Sequence, residues 1–300
     1  MSKPIRVLLQ TTIPTTEDDW SIARFSLLRD YLAGLKDEEG NNLCEVTARD
    51  RTSDAEGNDP ILSNLGDLDV DELWLFAVDV GDGLTEKDRA GIEAFHEGGG
   101  GLMATRDHQD LGSSICNLCG VGVAHFFHSQ NPDPDESRHT NDDVETTYIH
   151  WPNYHSGRNG DCQKITPMAP IHPLLKNPAA PNGAIEFFPA HPHEGGVGVP
   201  PGEEYGRVIA TGKSLASDRD FNLAVAFEWP ERADGTQLGR GLAESTFHHF
   251  CDYNWDTDMG CPTFVDEPPG DTIKTQPRAM EDVKAYVRNL VLWLASPSES

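Results

Sequence analysis

The sequence predicts an α/β protein with a mostly parallel central sheet flanked by helices and a strand-rich C-terminal half. Three observations predict it. Short β-rich runs alternate with amphipathic helical stretches through the N-terminal third. The run "DELWLFAVDV" is apolar on both faces, as a parallel strand buried between helix layers must be. Finally, "AIEFFPA", "GRVIATG", "NLAVAFEW" and "GLAESTFHHF" follow one another without an intervening helix, which adds an antiparallel or mixed extension to the sheet.

In chain order, "IRVLLQTT" (Ile5 to Thr12) is the first strand. "DDWSIARFSLLRDYLAGL" is a helix with Asp18 or Asp19 as its cap and Ile22, Phe25, Leu28 and Leu32 at helical spacing. "CEVTARD" and "DELWLFAVDV" are the second and third strands. "LTEKDRAGIEAFHEGGGG" is a helix capped by Thr85, with Ile92 and Phe95 on one face and glycines at its end, and "GLMAT" is the strand after it. From about Ser129 to Pro181 the periodicity lapses into Pro, Asn, Asp and His-rich sequence. We read this as a loop-rich insertion at 129–181 within a single domain spanning 1–300, open to use as a lid, a subunit contact or a solvated excursion. A last helix, about Arg278 to Leu294, aligns Met280, Val283, Val287, Leu290, Val291 and Leu294.

The formal charge of −27 over 300 residues argues against nucleic acid or an anionic membrane as partner, because either demands clustered Lys and Arg. A small-molecule partner is expected, and a homo-oligomer stays open. No run approaches the roughly 20 apolar residues of a membrane span, and the N-terminus lacks a signal-peptide cleavage pattern, so the expected compartment is the cytoplasm. There the six cysteines would stay reduced.

Several local motifs resemble the class I glutamine amidotransferase-like fold, which is flavodoxin-like, and within it the ThuA-like (trehalose-utilisation) group. "AFHEGGGGLMATRD" is similar to that group's helix, glycine turn and strand leading to the nucleophile elbow; "LCGVGVAHFFHS", "IHPLLKN" and "GRGLAESTFHHF" resemble its following segments. The alternation of strands and helices already predicts a site at the carboxyl ends of the strands; the resemblance implies a late-strand histidine at His248 and a carbohydrate-derived substrate. The departures matter equally. The elbow reads "ATRDHQDLG", with Thr105 or Arg106 where the family's cysteine would stand and no cysteine within ten residues before Cys116, which argues against glutamine hydrolysis through a thioester. Phe250 replaces the glutamate two residues beyond the histidine, leaving Asp252 as a substitute partner.

Arg106, Asp107 and His108 follow a central strand, where an Arg, a carboxylate and a His can supply an anion clamp, an orienting group and a base; the alternative is a structural ion pair. With His248 as the second base, the expected catalytic set is His248, Asp107 and His108, and the expected substrate contacts are Arg106, His128, His191 and Trp151. "PAHPHEGG" offers His191, His193 and Glu194 as ligands for one divalent metal, zinc, manganese or iron, or else a plain surface turn. Cys116, Cys119, His125 and His128 have too short a middle spacing for a zinc finger and fit core packing better. "DYNWDTDMG" fails the EF-hand pattern at Thr257 and Thr263. If "GLAESTFHHF" is a strand, His248 and His249 face opposite ways and only His248 serves the site. Two functional classes follow: an enzyme using His/Asp acid-base chemistry, a hydrolase, lyase or isomerase, and a non-catalytic ligand-binding or assembly module.

Overall fold

The computed structural model describes residues 3–143, 145–232 and 235–295. Its first four strands are β1 (Ile5–Thr11), β2 (Cys44–Arg49), β3 (Glu72–Phe76) and β4 (Gly101–Thr105). Short strands β5 (His125–Phe126), β6 (Cys162–Lys164), β7 (Thr166–Pro167), β8 (Phe187–Pro189) and β9 (Gly196–Val197) follow, then the longer β10 (Gly206–Lys213) and β11 (Asp220–Phe227), and finally β12 (Gly241–Glu244). The helices are α1 (Ser26–Gly34), α2 (Glu86–Glu97), α3 (Cys119–Gly122), α4 (Asp252–Trp255), α5 (Thr272–Thr275) and α6 (Ala279–Leu294).

Eight strands form one sheet in the order β2-β1-β3-β4-β12-β11-β10-β7. The pairs from β2 to β12 are parallel and the remaining three are antiparallel, as the mixed pattern of the sequence predicts. Alternation along β3 divides the core. Trp74 and Phe76 pack with Phe25 and Leu28 of the α1 side and Val287 and Leu290 of α6, whereas Leu73 and Leu75 pack with Ile92 and Phe95 of α2. Each such fully buried side chain contributes about 1.5–3 kcal/mol, so both faces of the sheet are held by apolar burial.

One connection decides where the site falls. β12 returns to the middle of the sheet beside β4, with Glu244 opposite Thr105. The residues after Thr105 and those after Glu244 therefore leave from neighbouring strand ends, the position at which α/β sheets place ligands.

Three local expectations are corrected. The N-terminal helical stretch opens as a 3-10 turn (Ile22–Phe25) before α1, and neither Asp18 nor Asp19 caps it. Asp252 does so from the far end of the chain, accepting from Ser26 N at 3.0 Å, Leu27 N at 2.8 Å and Ser26 Oγ at 2.6 Å. "AIEFFPA" supplies β8, which pairs with β6 in a separate ladder instead of extending the main sheet. The last strand stops at Glu244, and His248 and His249 lie on a 3-10 turn. By contrast, Thr85 caps α2 as expected, in a capping box with Asp88. No described helix is long and apolar enough to cross a membrane.

Candidate metal centre

Three segments meet above the β4 and β12 ends. The chain after β4 supplies Asp107 and His108, the turn after β12 supplies Thr246 and His248, and the extended stretch before β9 supplies His191 and His193. Gly195 locks the third segment between the other two. A Cβ there would stand 2.5 Å from the Asp107 carbonyl oxygen and 2.6 Å from that of Ser245, so only glycine permits the approach.

At the junction Asp107, His191 and His248 are all buried, and their ligand atoms lie within 4.8 Å of one another, the only such trio among the described residues. His191 Nε2 is 3.1 Å from Asp107 Oδ1 and His248 Nε2 is 3.8 Å from Oδ2. The two imidazoles stack face to face at 3.6 Å between centroids. Thr246 Oγ1 donates to Asp107 Oδ1 at 3.0 Å, and His108 Nδ1 lies 3.0 Å from Oδ2.

The tautomers of both histidines follow from a chain of amides. Asn254 Nδ2 donates to the Ala190 carbonyl at 2.8 Å, which fixes the amide because the opposite orientation would set two oxygens against each other. Asn254 Oδ1 therefore faces His248 Nδ1 at 2.9 Å, and Asn254 Nδ2 also donates to Asn159 Oδ1 at 3.0 Å. Asn159 Oδ1 in turn faces His191 Nδ1 at 3.0 Å. Each amide oxygen can only accept, so in the neutral rings both protons sit on Nδ1 and both Nε2 lone pairs point at the Asp107 side. His191 Nε2 accordingly makes no hydrogen bond despite its 3.1 Å distance from the carboxylate.

Burial lowers His191 to about 4, against the pull of Asp107. It holds His248 well below the usual imidazole range, reinforced by the neighbouring His191. Burial pushes the Asp107 carboxyl up, but the surrounding His191 and His108 outweigh it and hold the group well below the ordinary carboxylate range. Two neutral imidazoles and one carboxylate, oriented by outer hydrogen bonds, are donor types that could hold zinc, iron or manganese.

The trio opens into a cavity of about 330 Å³. His193 stands in its wall between Asp143 Oδ2 at 2.7 Å and Glu267 Oε1 at 3.2 Å. Burial lowers this imidazole, but the two carboxylates prevail and raise it to about 9. Asp107, Asp143 and Glu267 against one imidazolium leave the pocket acidic, which suits a cation. Among the described residues, no Lys or Arg lines it.

The expected residues are only partly brought together. Asp107, His108, His191, His193 and His248 share the cavity. Arg106 does not: its guanidinium donates to the Phe126 and Gln109 carbonyls and lies over the Phe127 ring, so it braces the elbow and is no anion clamp. His128 stacks on His150, and Trp151 stacks on His139 at 3.6 Å; neither lines the cavity. Glu194 is directed into a second buried network, accepting from Ser245 Oγ at 2.7 Å and Ser156 Oγ at 2.9 Å, with His249 Nε2 3.3 Å away. Glu194 thus points away from the cavity that holds His191 and His193, and the carboxylate grouped with His191 and His248 is Asp107. Burial lowers His249, but Glu194 and Glu244 raise it to about 10, a structural imidazolium. Asp252 caps α1, and the place beside His248 falls to Asn254. His125 Nδ1 contacts the Val121 carbonyl at 3.0 Å and Cys116 Sγ donates to Gln130, consistent with core packing.

Sequence reasoning missed Asn159, Asn254, Asp143 and Glu267. Asn254 lies inside the aspartate-rich "DYNWDTDMG", where the alternation of oxygen donors hid its link to His248.

The overall architecture has known counterparts. A protein described as ThuA-like from Parabacteroides merdae superimposes with a TM-score of 0.51 at 13% identity, covering 98% of this chain and 91% of its own. The fold is ThuA-like. A second ThuA-like protein, from Bacteroides uniformis, matches at TM-score 0.47 and 11% identity over 100% of this chain and 95% of its own. The glutaminase domain of Trypanosoma brucei CTPS, solved with acivicin bound, gives 0.43 and 13% over 99% and 95%. No protein-family model and no curated protein matches the chain. The ThuA-like sheet thus accounts for the strand-end position of the site, and its chemistry rests on the side chains described above.

Proposed function

We propose that this chain is a metal-dependent enzyme acting on a small polar substrate, with Asp107, His191 and His248 as ligands of one divalent cation. The observation that carries the reading is the amide chain from Ala190 through Asn254 and Asn159, which directs two imidazole lone pairs at one ionised carboxylate. Without a cation those lone pairs would face negative charge in a buried site. A bound cation would supply Lewis acidity to a substrate oxygen.

The protein's own groups divide the remaining work. His248 is turned toward Asp107, which makes it a ligand and leaves His108 as the proton-transfer group. His108 is partly exposed to the cavity, with 23% of its side chain accessible and Nδ1 set against Asp107 Oδ2. His193 holds a positive charge in the wall, opposite any negative charge developing on the substrate. Glutamine hydrolysis receives no support: Arg106 occupies the elbow with its guanidinium committed to carbonyls, and no cysteine precedes Cys116 there. That missing nucleophile also motivates the second reading, a non-catalytic module that holds a metal-bound ligand.

Metal analysis of protein purified without a His-tag tests the reading. The expected result is zinc, iron or manganese at near-unit stoichiometry, lost in Asp107→Ala and in His248→Ala. Protein that takes up none of these ions after reconstitution contradicts it. Turnover that survives in the metal-loaded wild type but falls in His108→Ala distinguishes the enzyme from the module.

A further inference from the structure

The wall of the cavity changes character from floor to mouth. Its floor is the Asp107, His191 and His248 cluster, whereas Val80, Tyr148 and Phe264 stand on its wall with 77%, 79% and 56% of their surface exposed. These are three of the four most exposed large hydrophobic side chains among the described residues, and they come from three separate segments. Buried Trp20 and Ile149 continue the apolar lining. Exposed apolar side chains gathered at one place mark a binding surface, because scattered exposure is the ordinary state.

The polar groups nearby are largely committed to one another. His193 faces carboxylates at both ring nitrogens, Thr146 Oγ1 donates to Glu267, and both Asp107 oxygens have close neighbours. Each hydroxyl of a many-hydroxyl ligand buried here without a partner would cost about 1–3 kcal/mol. A phosphate or a dicarboxylate would meet Asp19, Asp107 and Glu267 with no Lys or Arg among the described lining residues.

From this we infer that the site takes a small uncharged molecule with two parts: one oxygen-bearing head seated at the Asp107, His191 and His248 cluster, and an apolar, ring-sized body held by Tyr148, Phe264 and Val80. The assignment of the head rests on the proposed metal reading; that of the body rests on the cavity wall alone. The cavity volume of about 330 Å³ and its continuity with the polar floor favour a small molecule over a protein segment.

Two probes separate the parts. On cobalt-loaded protein, visible-spectrum titrations compare benzohydroxamate with acetohydroxamate, which share a chelating head and differ in the ring. A phenyl body burying roughly 80 Å² of apolar surface predicts about 30-fold tighter binding of the benzo compound. In the Tyr148→Ser/Phe264→Ser double variant the preference should shrink to within about threefold, with acetohydroxamate binding retained, since both residues are exposed and contribute little to the fold. Equal affinity of the two hydroxamates in the wild type, or an undiminished preference in the variant, overturns the inference. Metal-free protein is titrated in parallel with N-phenyl-1-naphthylamine, a neutral dye that brightens in apolar sites. Saturable brightening lost in the double variant supports the apolar body even if cobalt fails to bind, and that combination overturns the metal reading alone. Absent brightening overturns the inference. Brightening that declines as rising protein concentration produces a dimer assigns the patch to a second copy and also overturns it.

Discussion

Replacing Asn254 with alanine isolates the feature on which the metal reading depends. The side chain accepts from His248 Nδ1 at 2.9 Å and donates to Ala190 O at 2.8 Å and Asn159 Oδ1 at 3.0 Å. Without it only the weakly accepting Cys251 sulfur, 3.7 Å away, remains beside His248 Nδ1. The ring can then carry its proton on Nε2, where it would donate toward Asp107 Oδ2, now 3.8 Å away. A hydrogen bond to a charged group is worth about 1.5–3 kcal/mol, and a metal would have to displace it. Divalent-metal affinity should therefore fall by about 10–100-fold, the loss usual when an outer hydrogen bond to a ligand histidine is removed. Competition against a chromophoric chelator at pH 7 measures it. Cys251→Ala is the companion: its thiol donates to Asn254 Oδ1 at 3.0 Å and lies 3.7 Å from His248 Nδ1, while the Asn254 amide stays in place, so affinity should stay within about twofold. An Asn254→Ala protein that folds and binds metal as tightly as wild type would refute the tautomer argument.

Three further outcomes follow from the same geometry. Asp252→Ala removes three hydrogen bonds at the start of α1 and should lower stability by about 1–3 kcal/mol in urea denaturation while leaving metal affinity unchanged; equal loss of both would show that Asp252 serves the site. Arg106→Met strips donors from two backbone carbonyls and should cost about 3 kcal/mol or more of stability; a selective loss of anion binding in a stable variant would restore the clamp role. Stability of the metal-free protein should peak near neutrality. His191, lowered to about 4 by burial, takes up its proton more readily in the unfolded chain, so stability falls as pH drops from 6.5 towards 4, by up to about 3 kcal/mol for this group. His249 and His193, raised to about 10 and about 9 by their carboxylate partners, contribute stability that is full below pH 6.5 and lost as pH rises through those values. Chemical denaturation across pH 4 to 10 that shows no decline on either side would contradict both assignments.

Elements with strong periodicity were legible in the sequence. The strands from "IRVLLQTT" to "GLMAT" and the helix capped by Thr85 fall where apolar alternation and capping chemistry put them. Asp107, His191 and His248 were legible as separate candidates, singled out by strand-end position, by the paired histidines of "PAHPHEGG" and by the late-strand resemblance respectively. Their grouping was not. His191 shares a motif with Glu194, yet the chain turns between them so that one enters the cavity and the other the buried network around His249. Arg106 illustrates the converse: a strand-end arginine reads the same whether it clamps an anion or braces carbonyls, and only the fold supplies the Phe126 and Gln109 oxygens. Asn159 and Asn254 carry no periodic or spacing signal, since an amide becomes an orienting group only through its tertiary neighbours.

Anomalous diffraction from a crystal soaked in cobalt locates the metal itself. One strong peak is expected, bonded to His191 Nε2, His248 Nε2 and an Asp107 carboxylate oxygen at the roughly 2.0–2.2 Å usual for such ligands. A fully soaked crystal with no peak at this trio, or with its peak at His193 and Asp143 instead, would contradict the proposed metal site.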